Sequence, residues 1–349
     1  MPWRNVVFRF NREEKRKGYF MRYINMMDIV KSAKQKTSKS FFTPFGVFVV
    51  ILFILIFAGA GIFLLFKKEN IETLFKPSVE SVPKIEINVN AESALIISAK
   101  TGTTFFEKEP DKKLYPASTV KLMTAVLALE KKGMDSYITT TSTVTRVEPT
   151  IIKLKPSVKY KTSDLICAIL INSANDAAVA IAEGVAGSEK EFVKLMNKKA
   201  LELGMNDTNF TTASGLPLKK KDAQFTTCRD LVKLMKYAAQ YEFLLGALSK
   251  DEMEIAGSDG VKIKLTTHNK SLFSENSKAW GKTGYTMKAR RTFVGVDPSF
   301  SPSIIFALMK SDDLWQDISK LKNGGMECYM AKPKSFIEKV REWLSEYKK

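Results

Sequence analysis

The sequence predicts an α+β domain preceded by one transmembrane helix. Three features lead there. Residues Phe45–Phe66 form a single uncharged, almost wholly apolar run. Beyond it come strand-like segments: Ala94–Phe106, the AWGKTGYT stretch at 279–286, and SIIFALMK at 303–310. Between and among these lie long apolar runs with helix-capping residues beside them, namely LMTAVLALEKKG, DLICAILIN and DAAVAIAEGVAG. A mixed α and β architecture follows from that patterning.

Length and composition narrow the function. The 349 residues suit one good-sized catalytic domain with something attached, or two small domains. At 45% hydrophobic and 26% charged residues, wholesale disorder and collagen-like repeats are excluded. Cys167, Cys228 and Cys328 are odd in number and far apart, which argues against a disulfide framework. The single histidine, His268, rules out a multi-histidine metal site and leaves one candidate for a Ser-His-Asp triad. No G-x-S-x-G elbow, G-x-G-x-x-G or Walker loop is present. The net charge of +18 asks for an anionic neighbour.

The apolar run is long enough to span a bilayer, since a 22-residue helix measures roughly 33 Å. It lacks the polar stripe of a buried globular helix and no small-x-small cleavage site follows it, so it reads as an uncleaved signal anchor. Residues 1–42 carry eleven Lys/Arg against three acids, whereas Glu69 and Glu72 soon dilute Lys67 and Lys68 on the far side. The positive-inside bias therefore puts the N-terminus in the cytoplasm. The tail interleaves Trp3, Phe8, Phe10, Tyr19, Phe20 and Tyr23 with its cations, which suits an anionic lipid surface; no nucleic-acid-binding motif accompanies it. The expected division is a basic tail at 1–43, the anchor at 44–66, a proline-containing spacer at 67–85 and an extracytoplasmic domain at 86–349. Fully extended, the spacer reaches at most about 60 Å.

Within that domain, Ala94–Phe106 reads as two strands joined by a turn at Lys100–Gly102. Pro116 then precedes an apolar helix that stops at Gly133, a sensible C-terminal cap. Being apolar on nearly every side, this helix belongs at the domain's centre. Ser118 and Lys121, three residues apart at its start, share one face. A serine hydroxyl is a poor nucleophile until a base takes its proton, and a buried lysine of lowered pKa can do so. The S-x-x-K matches at Ser81–Lys84 in the spacer and Ser319–Lys322 in a polar stretch open no buried helix.

Ser173-Ala174-Asn175 forms a second group. On a helix, residues two apart diverge by about 200°, so Ser173 and Asn175 share a target only if a short loop between two helices holds them. Helix capping by Asn175 or Asp176 is the plain alternative. The third group is Lys282-Thr283-Gly284, in a strand where Lys282 and Gly284 project to one side and the glycine admits a ligand's backbone. The same letters at Lys100-Thr101-Gly102 fall in the hairpin turn and are better explained by it.

S-x-x-K, S-x-N and K-T-G in this order are the signature of β-lactamases and penicillin-binding proteins. With ALIISAKTG, PASTVKLMTA, NDAAVAIAE, LELGMNDTNFTTASGLP, FTTCRDLVKLMKYA and THNKSLF around them, the chain from about Glu86 to Val296 resembles the serine D-Ala-D-Ala carboxypeptidases, the low-molecular-weight penicillin-binding proteins. The resemblance implies a β-lactamase/transpeptidase-like fold, an antiparallel β-sheet flanked by helices with an α-helical cluster. It implies that Ser118 attacks the carbonyl between two terminal D-alanines with Lys121 as base, and that Ser173 relays a proton to the leaving amine. Asn175 would bind the substrate's backbone amide, and Lys282 and Thr283 its terminal carboxylate, beside Gly284. The backbone N–H groups of Ser118 and Tyr285 would form the oxyanion hole. No metal or organic cofactor is implied. The implied partners are a peptidoglycan stem peptide as substrate and β-lactams as covalent inhibitors, at a bacterial cell membrane.

The chain departs from the family pattern in places. Ala174 stands where the family usually has glycine, and Ala289-Arg290-Arg291 stands where Ala-Gly usually follows the lysine motif, so Arg290 is expected to crowd or recharge the rim of the site. After Val296 the sequence offers one strand and a closing helix, SFIEKVREWLSEY, with no room for the further β-rich domain and C-terminal anchor of many relatives. His268 reads as a loop or strand-end residue, Cys167 as a small buried hydrophobe and Glu148-Pro149 as a loop. A serine β-lactamase shares the acylation machinery, but the deacylating glutamate of class A enzymes has no counterpart at the right place. D,D-endopeptidase or transpeptidase action differs only in the bond cut or the acceptor. A non-catalytic β-lactam sensor or wall-binding protein is the alternative from another class.

Overall fold

A computed structural model describes residues 87–217, 224–274, 278–301 and 303–331. The apolar run at 45–66, the basic tail, the spacer and the closing helix at 335–347 lie outside these residues. Among the described residues no helix is long and apolar enough to cross a membrane.

The hairpin of the sequence reading is present as β1 (Ser93–Ser98) and β2 (Thr104–Lys108), closed by Gly102 at φ +73°. A 3-10 turn at Ala117–Val120 runs directly into α1 (Lys121–Lys132), whose residues Lys121 to Ala128 are all buried. Short strands β3 (Tyr137–Thr139) and β4 (Lys159–Lys161) pair ahead of α2 (Thr162–Leu170), α3 (Asn175–Ala186) and α4 (Glu189–Glu202). Two more helices, α5 (Cys228–Ala238) and α6 (Glu242–Leu248), lead to the hairpin β5 (Glu252–Ala256) and β6 (Lys262–Thr266). The chain ends its described part with β7 (Trp280–Thr286), β8 (Arg290–Asp297), β9 (Ile304–Ser311) and α7 (Leu314–Ala331).

One antiparallel sheet in the order β2-β1-β9-β8-β7 divides the core. Side chains alternate across it, as the period of two demands. Leu95, Ile97, Val294, Ile305, Ala307 and Met309 face the helical cluster built around α1, with Cys167 among its buried members. Ala94, Ile96, Phe293, Phe306 and Leu308 face Leu314, Ile318 and Leu321 of α7. Burial on both faces explains why β1 and β9 read as near-continuous apolar runs. Among the described residues β7 is an edge strand, with no strand paired on its outer side.

The helix α7 was not legible in the sequence, because Gly324 and Gly325 weaken its propensity. The glycines let the helix lie against the sheet: a Cβ on Gly324 would stand 2.5 Å from Ile87 and one on Gly325 2.8 Å from Ile96. The Ser319–Lys322 pair opens no helix, as expected, but lies within α7, where Lys322 is buried, in an ion pair with buried Asp297 and donating to the carbonyl of Lys278 at 2.9 Å. At the helix start, Asp317 accepts from the N–H of Asn90 (2.7 Å) and of Ala91 (2.8 Å) and from Ser311 Oγ (2.7 Å), fixing α7 to the start of the described domain.

Candidate active site

The nucleophile candidate sits on a strained, closely packed turn. Ala117, just before Ser118, has φ +48°, a left-handed conformation that costs a non-glycine residue on the order of 1 kcal/mol or more. Three contacts hold it. Pro116 O accepts from Thr119 Oγ1 (2.7 Å) and from Thr292 Oγ1 of β8 (3.1 Å). From the other side Gly215, at φ +87°, comes so near that a Cβ would lie 2.0 Å from Ala117 O.

Lys121 begins α1, and its fully buried amine meets three groups: Ser118 Oγ at 2.9 Å, Asn175 Oδ1 at 2.7 Å and Ser214 O at 2.5 Å. Asn175 Nδ2 donates to Glu148 O at 2.9 Å, which fixes the amide so that Oδ1 faces the lysine. Asn175 Oδ1 and Ser214 O are acceptors only, so each takes an N–H from Lys121. A neutral amine has two N–H bonds, and its lone pair is then left for Ser118 Oγ. Burial holds the Lys121 pKa well below its ordinary 10.5, with the nearby Lys282 charge adding to the effect and Asp176 opposing it.

Ser173 and Ala174 lie in the loop between α2 and α3, where Ser173 takes φ +58°, and Asn175 opens α3. Ser173 Oγ meets Lys282 Nζ while Asn175 Oδ1, two residues on, meets Lys121 Nζ. Asn175 is not a simple cap. Asp176 next to it accepts from the N–H groups of Ile152 (3.1 Å) and Leu154 (3.0 Å), and Thr150 O accepts from Asn175 N at 2.7 Å. These bonds wrap the Glu148–Leu154 segment over the start of α3, with the Glu148 side chain exposed.

Lys282 and Gly284 project to the same side of β7, as the strand period requires. Buried Lys282 donates to Ser173 Oγ at 3.0 Å and to Thr283 O at 2.7 Å, and burial pushes its pKa down to about 7. β7 passes the Ser118 backbone nitrogen at Gly284, one residue before Tyr285. The cavity so formed, about 360 Å³, is lined by Ser118, Ser173, Thr283, Gly284 and Tyr285 from the predicted set.

Four contributors were missed or underread. The Ser214 carbonyl and Gly215 belong to TTASGLP, a segment used only for the resemblance; backbone carbonyls leave no residue-type signal. Trp315 lines the cavity from α7, a helix without a sequence signal. His268 also lines it, just beyond β6, with Nε2 3.1 Å from Asn172 O; burial, with Lys282 nearby, lowers its pKa. The expected effect of Arg290 belongs instead to its neighbour. Arg290, at φ +53°, turns to Asp312 (2.7 Å), whereas Arg291 lines the cavity and donates to Asp312 O at 2.7 Å.

Ser118 thus faces one buried lysine amine, and a second buried lysine reaches a second serine. A solved D-alanyl-D-alanine carboxypeptidase from Mycobacterium tuberculosis has a similar fold, with a TM-score of 0.64 at 26% identity, covering 68% of this chain and 92% of that one. Residues 78–312 match the peptidase S11 family, D-alanyl-D-alanine carboxypeptidase, and the chain belongs to that family. D-alanyl-D-alanine carboxypeptidase DacC of Escherichia coli is 32% identical over 278 residues, 74% of this chain and 68% of that protein. DacF of Bacillus subtilis is 31% identical over 210 residues, 59% of this chain; the match spans about half of that relative's length, 53%.

Proposed function

We propose that this chain is a serine D,D-carboxypeptidase that removes the terminal D-alanine from peptidoglycan stem pentapeptides. It works at the bacterial cell membrane, anchored through residues 44–66, with the tail at 1–43 in the cytoplasm and the spacer at 67–85 carrying the catalytic domain, 86–349, outside. The observation that carries the reading is the Lys121 amine, two of whose three partners only accept and the third of which is Ser118 Oγ.

Neutral Lys121 takes the Ser118 proton as Oγ attacks the carbonyl between the two D-alanines. The tetrahedral oxyanion forms against the N–H groups of Ser118 and Tyr285. Lys282 donates a hydrogen bond to Ser173 Oγ, so Ser173 can pass a proton to the departing D-alanine amine and recover one from the lysine. Thr283, with the positive charge of Lys282 behind it, receives the terminal carboxylate. Asn175 orients Lys121 and keeps one Nδ2 hydrogen for the substrate's backbone amide. Water then hydrolyses the ester on Ser118. A β-lactam, which carries a strained amide and a carboxylate at similar separation, acylates the same serine. Against the β-lactamase alternative, no carboxylate stands among the described residues that line the cavity.

The test is D-alanine release from a pentapeptide ending in D-Ala-D-Ala, using the full-length chain in detergent. Release by the wild type that disappears in Ser118→Ala supports the reading. A folded wild type that releases none favours a β-lactam sensor or another bond.

A further inference from the structure

A second cavity, about 280 Å³, adjoins the lead-in to the nucleophile. It is lined by Leu114, Tyr115, Phe225 and three lysines, Lys113, Lys288 and Lys310, and by no carboxylate among the described residues. Tyr115 precedes Ser118 by three residues, and Lys288 follows Tyr285 by three. The two meet: Lys288 Nζ lies 5.7 Å from the centre of the Tyr115 ring, so the turn after β7 closes onto the segment that delivers Ser118. Lys113 Nζ lies 5.2 Å from the Phe225 ring.

The charge of this cavity is unevenly answered. Lys113 pairs with half-buried Asp207 at 3.0 Å and Lys310 pairs with Glu92 at 2.5 Å. Lys288 is exposed and meets no carboxylate among the described residues. Its exposed ammonium, held over the Tyr115 ring, can meet an anion from solvent.

Direction along β7 says which ligand. In the carboxypeptidase reading, on which this inference rests, the terminal carboxylate lies at Lys282–Thr283 and the scissile carbonyl between the N–H groups of Ser118 and Tyr285. The donor peptide therefore runs antiparallel to β7, its carboxyl end at 282 and its upstream part leaving past 285 towards Thr286–Lys288. Extended peptide covers about 3.3 Å per residue, so the third or fourth residue from the carboxyl end reaches the three-residue interval between Tyr285 and Lys288. We infer that the cavity beside Tyr115 receives this upstream part of the donor and that Lys288 selects a carboxylate-bearing residue there. Leu114 and the two aromatic rings offer apolar surface to the methylenes of such a side chain, and the lysines offer the opposite charge.

The test compares peptides ending in D-Ala-D-Ala that differ only in Glu or Gln at the third or at the fourth residue from the carboxyl end. D-alanine release by the full-length chain in detergent gives kcat/KM for each. The readout is the Glu-to-Gln ratio, in which a general loss of activity cancels. The wild type should favour Glu by about fivefold at one of the two positions, the scale of an exposed ion pair. Lys288→Gln should bring that ratio to about one and Lys288→Glu should invert it. A wild type without preference, or a ratio unchanged in both variants, would overturn the inference and leave the carboxypeptidase reading intact. Release from none of the peptides would overturn both.

Discussion

Gly284 of β7 faces Ser118 so closely that a Cβ on the glycine would stand 2.8 Å from the nucleophile's backbone nitrogen. The same Cβ would meet Thr292 Oγ1 at 2.5 Å and Ala117 Cβ at 3.0 Å, and neither the backbone nor the short Thr292 side chain can swing clear. The missing side chain is what brings the strand and the nucleophile turn together.

Gly284→Ala should therefore displace β7 from the turn and misplace the two oxyanion N–H groups. A shift near 1 Å costs on the order of 10²-fold in rate. The second-order acylation rate with a fluorescent penicillin reads this directly. Wild-type acylation by a folded Gly284→Ala protein would show that the close approach has no catalytic role.

Lys121 should be irreplaceable, even by a larger cation. Lys121→Ala removes the base and should lower the rate by about 10²- to 10⁴-fold. Lys121→Arg should fare no better, because a guanidinium stays protonated and cannot accept the Ser118 proton. Single-turnover acylation of the two variants checks both statements. An active arginine variant would mean that the lysine supplies charge and not proton acceptance.

The buried amines should make stability depend on pH in a definite sense. Lys282 has a folded pKa of about 7 against an ordinary 10.5, so between those values the unfolded chain binds more protons than the folded one. Stability contributed by this site is then lowest below about pH 7 and rises with pH through the window. The Tm should climb from pH 7 to 9.5 in the wild type, and Lys282→Met should flatten the climb. Catalysis should run the other way on that limb. It needs neutral Lys121 but charged Lys282, so kcat/KM should fall above about pH 7, with apparent values that belong to the pair of lysines.

Ser173 carries a trade between strain and function. Its φ of +58° is unfavourable for serine and free of penalty for glycine. Ser173→Gly should raise or maintain the Tm while losing the hydroxyl that Lys282 reaches, with a fall in D-alanine release of about 10²-fold or more. A variant that is both active and more stable would remove Ser173 from the proton path.

Much of this site was legible because its chemistry is tied to residue types at fixed intervals. The i, i+3 spacing of Ser118 and Lys121, the loop needed for Ser173 and Asn175, and the same-side projection of Lys282 and Gly284 follow from helix and strand geometry. The hairpin turn of Gly102 was readable for the same reason. What was hidden depends on long-range packing. Ser214 acts through its carbonyl, Arg291 reaches the cavity because Arg290 turns to Asp312, and Trp315 arrives on a helix whose paired glycines signal contact with Ile87 and Ile96. The short strands β3–β6 offered too few residues for a period to show.

The central claim is that Ser118 is the nucleophile, and covalent trapping tests it most directly. The full-length chain would be incubated with benzylpenicillin, digested, and the adduct located by tandem mass spectrometry. The account predicts one penicilloyl group on Ser118, absent from Lys121→Ala on the same timescale. An adduct on Ser173, or none on a folded protein, would contradict it.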